Sequence, residues 1–240
     1  MATFDSAYYL ANNPDVAAAG IDAETHYNTT GFLEGRDPNA YFDTSYYLAN
    51  NPDVAAAGVN PLTHYVNNGS SEDRDPSPFF DTSMYLASAP DVAAAVAAGT
   101  ANVFDHFLTF GVTEGRTSNA FFDATTYLSA NPDLAAAFQT GGSTDFAAVF
   151  THFVDHGIEE QRDIGNGIDL SDFGNDSTFT TAIATGNIQD AFTRVADVAP
   201  FLPDFVSPTT FTVRSDAAIP TDFTAPVGTT IVLTVPAGVT

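Results

Sequence analysis

Histidine is the residue type whose placement in this chain first suggests chemistry. Four of the five histidines recur at one place in a repeated pattern: His26, His64, His106 and His152. Because each lies in a different repeat, they do not form one set of metal ligands, and we expect each to hydrogen-bond a backbone carbonyl or a carboxylate. His152 and His156 are the exception, since their i, i+4 spacing on one predicted helix is that of paired metal ligands. No third ligand is evident beside them.

Arginine recurs in the same regular way. Lysine is absent, and four of the six arginines occupy one repeat position: Arg36, Arg74, Arg116 and Arg162. A guanidinium group suits bidentate contact with a carboxylate, so we expect an ion pair. Our candidate partner is the aspartate of the Phe-Asp dipeptide in the adjoining repeat. An arginine that grips a substrate is the alternative.

Oxygen ligands and aromatic rings supply two further candidate sites. The segment GNGIDLSDFGND offers oxygen atoms of the kind that bind calcium, in Asp169, Asp172, Asn175 and Asp176. It does not match an EF-hand loop, so a solvated acidic loop is the alternative. Calcium is the one cofactor that the sequence suggests. Tyr8 and Tyr46 are our candidates for stacking on a sugar ring.

These residues belong to four copies of one repeat, with a period of about 38 residues. The copies span about 4–38, 42–76, 80–118 and 122–163, so residues 1–163 form the repeat region. Each begins with a Phe-Asp dipeptide, and the four aspartates are Asp5, Asp43, Asp81 and Asp123. The step from histidine to arginine is ten residues in every copy, whereas the step from aspartate to histidine grows from 21 to 29 residues. Insertions confined to one loop are typical of stacked repeats.

Each copy predicts two or three short helices. The Phe-Asp aspartate is a helix N-cap, and Phe42 and Tyr47 have the spacing of a hydrophobic staple around it. A proline then starts the second helix, which Gly58 ends in a left-handed conformation. The third helix begins after its cap, Asn60, with Gly69 as its stop. Helices this short are unstable alone, so we expect a mainly α fold in which four units stack in a solenoid-like array.

The chain changes character after the repeats. Residues 164–210 predict a loop and then a capping helix that covers the last repeat, because several apolar residues lie partly at helical spacing. They are Phe179, Ile183, Phe192, Val195 and Val198. Residues 211–240 alternate in Thr and Val, which predicts a β-rich tail or the start of a further domain. Two strands alone are marginal, so we expect the chain to continue or these strands to pair with another chain.

The repeat motif F-D-x-x-Y-Y-L-x-x-N-P-D-V-x-x-A-G, continued by H-Y and G-x-x-E-G-R-x-P, resembles a repeat of large exported proteins of alphaproteobacteria and related bacteria. Many of those are RTX-type calcium-binding or S-layer-like surface proteins, and similar repeats are attached to polysaccharide-handling proteins such as glycosyltransferases. The match covers Phe4 to Asp163; copy three departs from it at Met84 and Ala89, and copy four with IEEQR. The resemblance implies an extracellular location at the cell surface.

Composition restricts the partners and the route of export. The net charge of −24 argues against nucleic acid and anionic membranes, which need basic patches, but permits divalent cations. No cysteine is present, which excludes disulfides and thiolate metal sites. No apolar stretch is long enough to cross a membrane. The start, MATFDSAYY, is not a signal peptide, so we expect export by another route, such as a C-terminal signal.

Together these features predict a non-enzymatic structural or anchoring module, the N-terminal part of a larger S-layer-like or adhesin-like protein. We expect it to associate with surface polysaccharide or with itself. The alternative is an accessory repeat domain of a polysaccharide-processing enzyme. We expect no enzyme within these residues, because no nucleophile elbow, phosphate loop, zinc motif or unique acid pair stands out.

Overall fold

A computed structural model describes residues 3–202, and this region is mainly helical, which confirms the predicted α class. These residues group into two compact units, one ending at Val112 and the other beginning at Thr113. The α-helices are α1 Ser6–Asn12, α2 Pro14–Ala19, α3 Ala23–Thr29, α4 Thr44–Asn50, α5 Pro52–Ala57, α6 Pro61–Asn67, α7 Thr82–Ser88, α8 Pro90–Ala97, α9 Val103–His106, α10 Val112–Glu114, α11 Ala124–Ala130, α12 Pro132–Ala137, α13 Phe146–His152, α14 Ser177–Ala184 and α15 Ile188–Val198. In the described part of the chain, no helix combines the length and apolar character needed to cross a membrane.

The first helix of each copy starts at its predicted cap. The side chain of Asp43 accepts a hydrogen bond from the backbone N–H of Tyr46 at the start of α4. The equivalent aspartates cap α1, α7 and α11: Asp5, Asp81 and Asp123. The hydrophobic staple is also present, since the fully buried rings of Phe42 and Tyr47 lie 5.4 Å apart between centroids.

The second helix of each copy begins with a proline, as predicted. Gly58 follows α5 with a φ of 63°, a left-handed conformation that favours glycine. The Asn60 side chain caps α6, also as predicted. The predicted stop at Gly69 is wrong, because α6 ends at Asn67 and Gly69 instead opens a further helical turn.

That turn differs between the copies. Copies one and two continue with 3-10 helices, Gly31–Glu34 and Gly69–Glu72. Copies three and four pass directly from the α-helix into π-helices, Phe107–Gly111 and Phe153–Gly157. The same repeat glycine therefore opens the turn in the first two copies and closes it in the other two.

Consecutive copies share buried contacts within the first unit. The hydroxyl groups of Tyr27 and Thr44 lie 3.2 Å apart, and Thr44 Oγ1 donates to the carbonyl of Arg36 at 2.8 Å. Tyr65 and Thr82 repeat this contact in the next pair of copies, at 2.8 Å. Around these contacts the unit is filled with fully buried aromatic rings, among them Tyr9, Tyr27, Phe42, Tyr47, Tyr65, Phe80, Tyr85, Phe104 and Phe107.

The second unit contains copy four and the segment that follows it. Its described part, up to residue 202, contains two short antiparallel hairpins, one inside the longest insertion and one directly after the repeat. Their strands are β1 Gln139–Thr140, β2 Ser143–Thr144, β3 Asp163–Gly165 and β4 Ile168–Asp169. The predicted loop after the repeat is therefore structured, and a 3-10 helix, Leu170–Asn175, follows the second hairpin. Its burial explains this, because Ile164, Ile168, Leu170 and Phe173 have no exposed surface.

The predicted closing helix is a pair of helices, α14 and α15. The ring of Phe192 in α15 packs edge-on against Phe153 of copy four, with centroids 5.6 Å apart. Phe179, Val195 and Val198 are buried with it, whereas Ile183 is only half-buried. The predicted β-rich tail at 211–240 lies outside the described residues.

Candidate functional site

Each copy places its repeat histidine on the hydroxyl group of a buried tyrosine. The Tyr9 hydroxyl lies 2.9 Å from Nδ1 of His26. The same contact recurs at 2.9 to 3.1 Å in three further pairs, Tyr47–His64, Tyr85–His106 and Tyr127–His152. The predicted partner, a backbone carbonyl or a carboxylate, is therefore wrong, although each histidine is hydrogen-bonded within its repeat.

Burial raises the pKa of three of these tyrosines. It raises the pKa of Tyr9 to about 12, and it also raises the pKa of Tyr47 and of Tyr127. A phenol with an ordinary pKa near 10 is already protonated at neutral pH, so these hydroxyl groups can donate to the histidine. When a tyrosine donates, Nδ1 is the acceptor and the neutral imidazole carries its proton on Nε2.

A glycine five residues after each histidine makes room for the tyrosine hydroxyl. These glycines are Gly31, Gly69, Gly111 and Gly157. A Cβ atom at any of them would overlap the hydroxyl oxygen of the tyrosine in the same copy. Sequence reasoning missed this role, although the constant histidine-to-glycine spacing was a usable signal.

Arg36 forms a second polar cluster, on the surface of copy one. Its guanidinium group donates to both carboxylate oxygens of Asp15 at 2.8 Å, to Asn13 Oδ1 at 2.8 Å and to Glu34 Oε2 at 2.6 Å. The predicted partner, Asp43 of the adjoining copy, is wrong. The Asp43 side chain caps α4, and the arginine turns back to the Pro-Asp aspartate of its own copy.

The arginine cluster recurs along the chain. Arg74 makes the same contacts with Asp53, Asn51 and Glu72. Arg162 donates to Asp133 and Glu160, and Arg116 donates to Glu114. The neighbouring guanidinium group lowers the pKa of Asp15 and of Asp53 to about 2.

One asparagine joins the arginine cluster to the tyrosine helix. Asn51 accepts from Arg74 through its side-chain oxygen and donates from Nδ2 to the carbonyl of Tyr47 at 2.7 Å. Asn13 does the same in copy one, between Arg36 and Tyr9. Both asparagines are buried, so each satisfies polar groups that would otherwise lie unpaired at the helix end.

His152 and His156 do lie close together. Their rings are 5.6 Å apart between centroids, and His152 Nε2 lies 4.0 Å from Glu160. His152 already contacts Tyr127 through Nδ1, burial lowers its pKa, and Glu160 is held by Arg162 at 2.6 Å. Within residues 3–202, no group of three or more histidine and acidic side chains is arranged to hold a metal ion.

The four candidate calcium ligands have separate roles in the structure. Asp169 caps the 3-10 helix through Ser171, and burial raises the pKa of Asp172. Asn175 ends that helix. Asp176 is almost fully buried, where it caps α14 and accepts from Nε and Nη2 of Arg194 at 2.9 and 2.6 Å. Asp176 could therefore coordinate a cation only by giving up this ion pair.

The two candidate sugar-stacking tyrosines are half-buried, in contrast to Tyr9 and Tyr47, which have no exposed surface. They are Tyr8 and Tyr46. An open cleft of about 510 Å³ lies elsewhere in the first unit, beside the start of α1. Residues 4–7 and 39–41 line it together with Leu108, so it presents aromatic, amide and carboxylate groups together.

Comparison with protein-family models, with curated proteins and with solved structures gave no match for this chain. The functional argument therefore depends on the side chains themselves. In every copy a buried tyrosine contacts a histidine and an arginine donates to at least one carboxylate, and in copies one and two an asparagine joins the arginine as well.

Proposed function

We propose that this chain is a non-enzymatic structural or anchoring module of the bacterial cell surface, built as a stack of four repeats. The observation that carries the proposal is the recurrence of the same two polar clusters. The conspicuous histidines and arginines have structural partners inside their own repeats, and a residue used four times in this way supports a scaffold better than a single reaction centre.

The stacked arrangement is supported by the contacts between copies in the first unit. Tyr27 reaches Thr44 in the next copy, and Tyr65 reaches Thr82 in the copy after that. Ser77 Oγ also donates to the carbonyl of Tyr41, and Asn39 Nδ2 donates to the carbonyl of Thr3, again one repeat apart. Nearest-neighbour contacts that repeat with the sequence period are the basis of solenoid stability.

The strongly acidic composition favours association that depends on divalent cations. The charge of −24 makes copies of this chain repel one another, and monovalent salt screens such repulsion only beyond a Debye length of about 8 Å. Calcium shared between carboxylates of neighbouring molecules would bring them closer. The resemblance to RTX-type and S-layer-like surface repeats favours the same function, in a larger exported protein that binds surface polysaccharide or itself.

Co-sedimentation of the purified chain with insoluble polysaccharides, and sedimentation velocity of the chain alone, test this proposal. We expect binding or self-association that is stronger in millimolar calcium than in sodium at equal ionic strength. Far-ultraviolet circular dichroism should be unchanged by a chelator, because the repeat core is apolar and its helix caps are side chains. Absence of both binding and association, with and without calcium, would contradict the proposal.

Two variants locate the contact with polysaccharide. The double substitution Tyr8→Ala and Tyr46→Ala removes the candidate stacking rings, whereas Ala7→Trp fills the cleft beside α1. We expect the first variant to lose binding and the second to keep it. The reverse result would assign the saccharide to the cleft.

A further inference from the structure

Three repeat positions differ between copy one and the later copies, where most of the side chains at these positions are buried. The first is Thr44, which has no exposed surface and is held entirely by copy one: its N–H donates to Asp37, its Oγ1 donates to the Arg36 carbonyl, and its hydroxyl meets Tyr27. Thr82 makes the same contacts with copy two and is also fully buried, and Ala124 of copy four is buried as well. The equivalent Ser6 of copy one is exposed.

The second position lies two residues before the repeat histidine. It is Leu62, Phe104 and Phe150 in copies two to four, and all three side chains are buried. In copy one it is Glu24, which is exposed at the start of α3. The Asn60 side chain, at the start of the equivalent α6, donates to Asn28 of copy one at 3.0 Å, so this end of the helix faces the preceding copy.

The third position immediately precedes the Phe-Asp dipeptide. Aromatic rings occupy it in copies two to four: Tyr41, Phe79 and Phe121. The rings of Tyr41 and Phe79 meet edge to face at 6.4 Å between centroids, which links copy two to copy three. Copy one has Thr3 in this place, a side chain too small for such a contact.

In copies two and three these positions lie on a single surface, the face of a repeat that meets the copy before it. A glutamate at the position of Leu62 would place an ionised group in an apolar contact, which costs far more than leaving it in water. Terminal repeats of a solenoid need a polar outer face for this reason. Copy one has polar residues at all three positions: Ser6 and Glu24, which are exposed, and Thr3, which is half-buried.

We propose that this face is a solvent-exposed cap on which no second copy of the molecule stacks. The inference rests on the proposed stack of repeats. It restricts the proposed self-association, because copies of the molecule must then meet through their flanks and not by extending the array from copy one. At the copy-one end of the array, calcium-dependent assembly would then join molecules side by side.

Thiol labelling tests the cap directly, since the chain contains no cysteine. Ser6→Cys and Thr44→Cys place a single thiol at equivalent positions of copies one and two. We expect the thiol at position 6 to react with a maleimide as fast as in denaturant, and the thiol at position 44 to react roughly 100-fold more slowly, because its access requires local opening. Circular dichroism checks folding, and Thr82→Cys replaces Thr44→Cys if that variant does not fold.

The decisive measurement repeats the labelling at a protein concentration and calcium level where sedimentation shows assembled species. Continued fast labelling at position 6 supports the cap, whereas protection there only in assembled material would overturn it.

Glu24→Lys and Leu62→Lys form a matched control: the first should leave sedimentation and thermal unfolding unchanged, and the second should lower the unfolding temperature. A chain that neither assembles nor binds polysaccharide would contradict the proposed function but leave the labelling contrast intact.

Discussion

The molecule uses the arginine–aspartate pair in two opposite surroundings. The recurring pair of Arg36 with Asp15 lies at the surface, with 22% and 62% of the two side chains exposed. The single pair of Arg194 with Asp176 lies between the closing helices, with only 6% and 1% exposed. Exposed pairs contribute little to stability, whereas a buried pair must be complete because either partner alone is an uncompensated charge. The recurring pair therefore adds little stability to each repeat, while the buried pair fixes how α14 meets α15.

The largest effect should follow from breaking the buried pair. Arg194→Met leaves Asp176 as an unpaired carboxylate in a closed environment, and we expect a loss of about 3–5 kcal/mol in the free energy of unfolding. Urea denaturation followed by circular dichroism measures this loss. Arg36→Met, the matched change in the exposed pair, should cost much less.

A double variant separates the charge from the packing. Asp176→Asn keeps an N-cap oxygen for α14 and removes the charge, so Asp176→Asn combined with Arg194→Met should be more stable than Arg194→Met alone. If the double variant is no better, lost side-chain packing, and not the unpaired charge, accounts for the effect.

The same contrast of buried and exposed positions applies to neighbouring tyrosines of the repeat. Tyr47→Ala removes a ring that packs on Phe42 and has no exposed surface, and we expect a loss of about 3–5 kcal/mol. Tyr46→Ala should cost far less, because Tyr46 is half-buried. Equal losses in parallel thermal and urea unfolding would mean that the inner and outer faces of α4 are wrongly assigned.

A smaller and more specific effect is expected at the repeat glycine. Gly69→Ala places a methyl group on the Tyr47 hydroxyl, and overpacking of this kind costs roughly 1–3 kcal/mol. Tyr47→Phe removes the hydroxyl oxygen, so adding Gly69→Ala to Tyr47→Phe should cost clearly less than adding it to the native chain. Equal costs in the two backgrounds would exclude this contact as the reason for glycine.

Contacts between residues close together in the sequence were predicted correctly, whereas contacts between distant residues were not. The Asp43 cap, the Phe42–Tyr47 staple and the prolines that start helices depend on residues within one turn, and all were predicted correctly. The partner of Arg36 was predicted wrongly, because Asp43 is near in sequence while the true partner, Asp15, is brought to it only by the packing of α2 against the end of the copy.

Helices α14 and α15 give a second example of partners that are distant in the sequence and could not be predicted. Asp176 and Arg194 meet only because α14 and α15 pack side by side, and nothing in either local sequence indicates that the pair is buried. The acidic residues around Asp176 instead favoured a solvated loop or a calcium site. The glycine that accommodates Tyr47 is likewise 22 residues away from it along the chain, although its constant spacing from the histidine carried a signal.

The smallest effect concerns the exposed pairs and their dependence on pH. The pKa of Asp15 and of Asp53 is about 2 in the folded chain, against about 3.9 for an unfolded aspartate. Between these values the unfolded chain binds more protons, so the stabilisation is present above about pH 4 and is lost as the pH falls toward 2. The double variant Asp15→Asn, Asp53→Asn should therefore be slightly less stable than the native chain near neutral pH. The difference in the free energy of unfolding between the two proteins should become smaller as the pH falls. Urea unfolding near neutral pH and near pH 2 measures this difference in stability. Added salt should also reduce the difference, because both carboxylates are exposed. A difference that persists unchanged in acid and in salt would show that the aspartates act through hydrogen-bond geometry and not through charge.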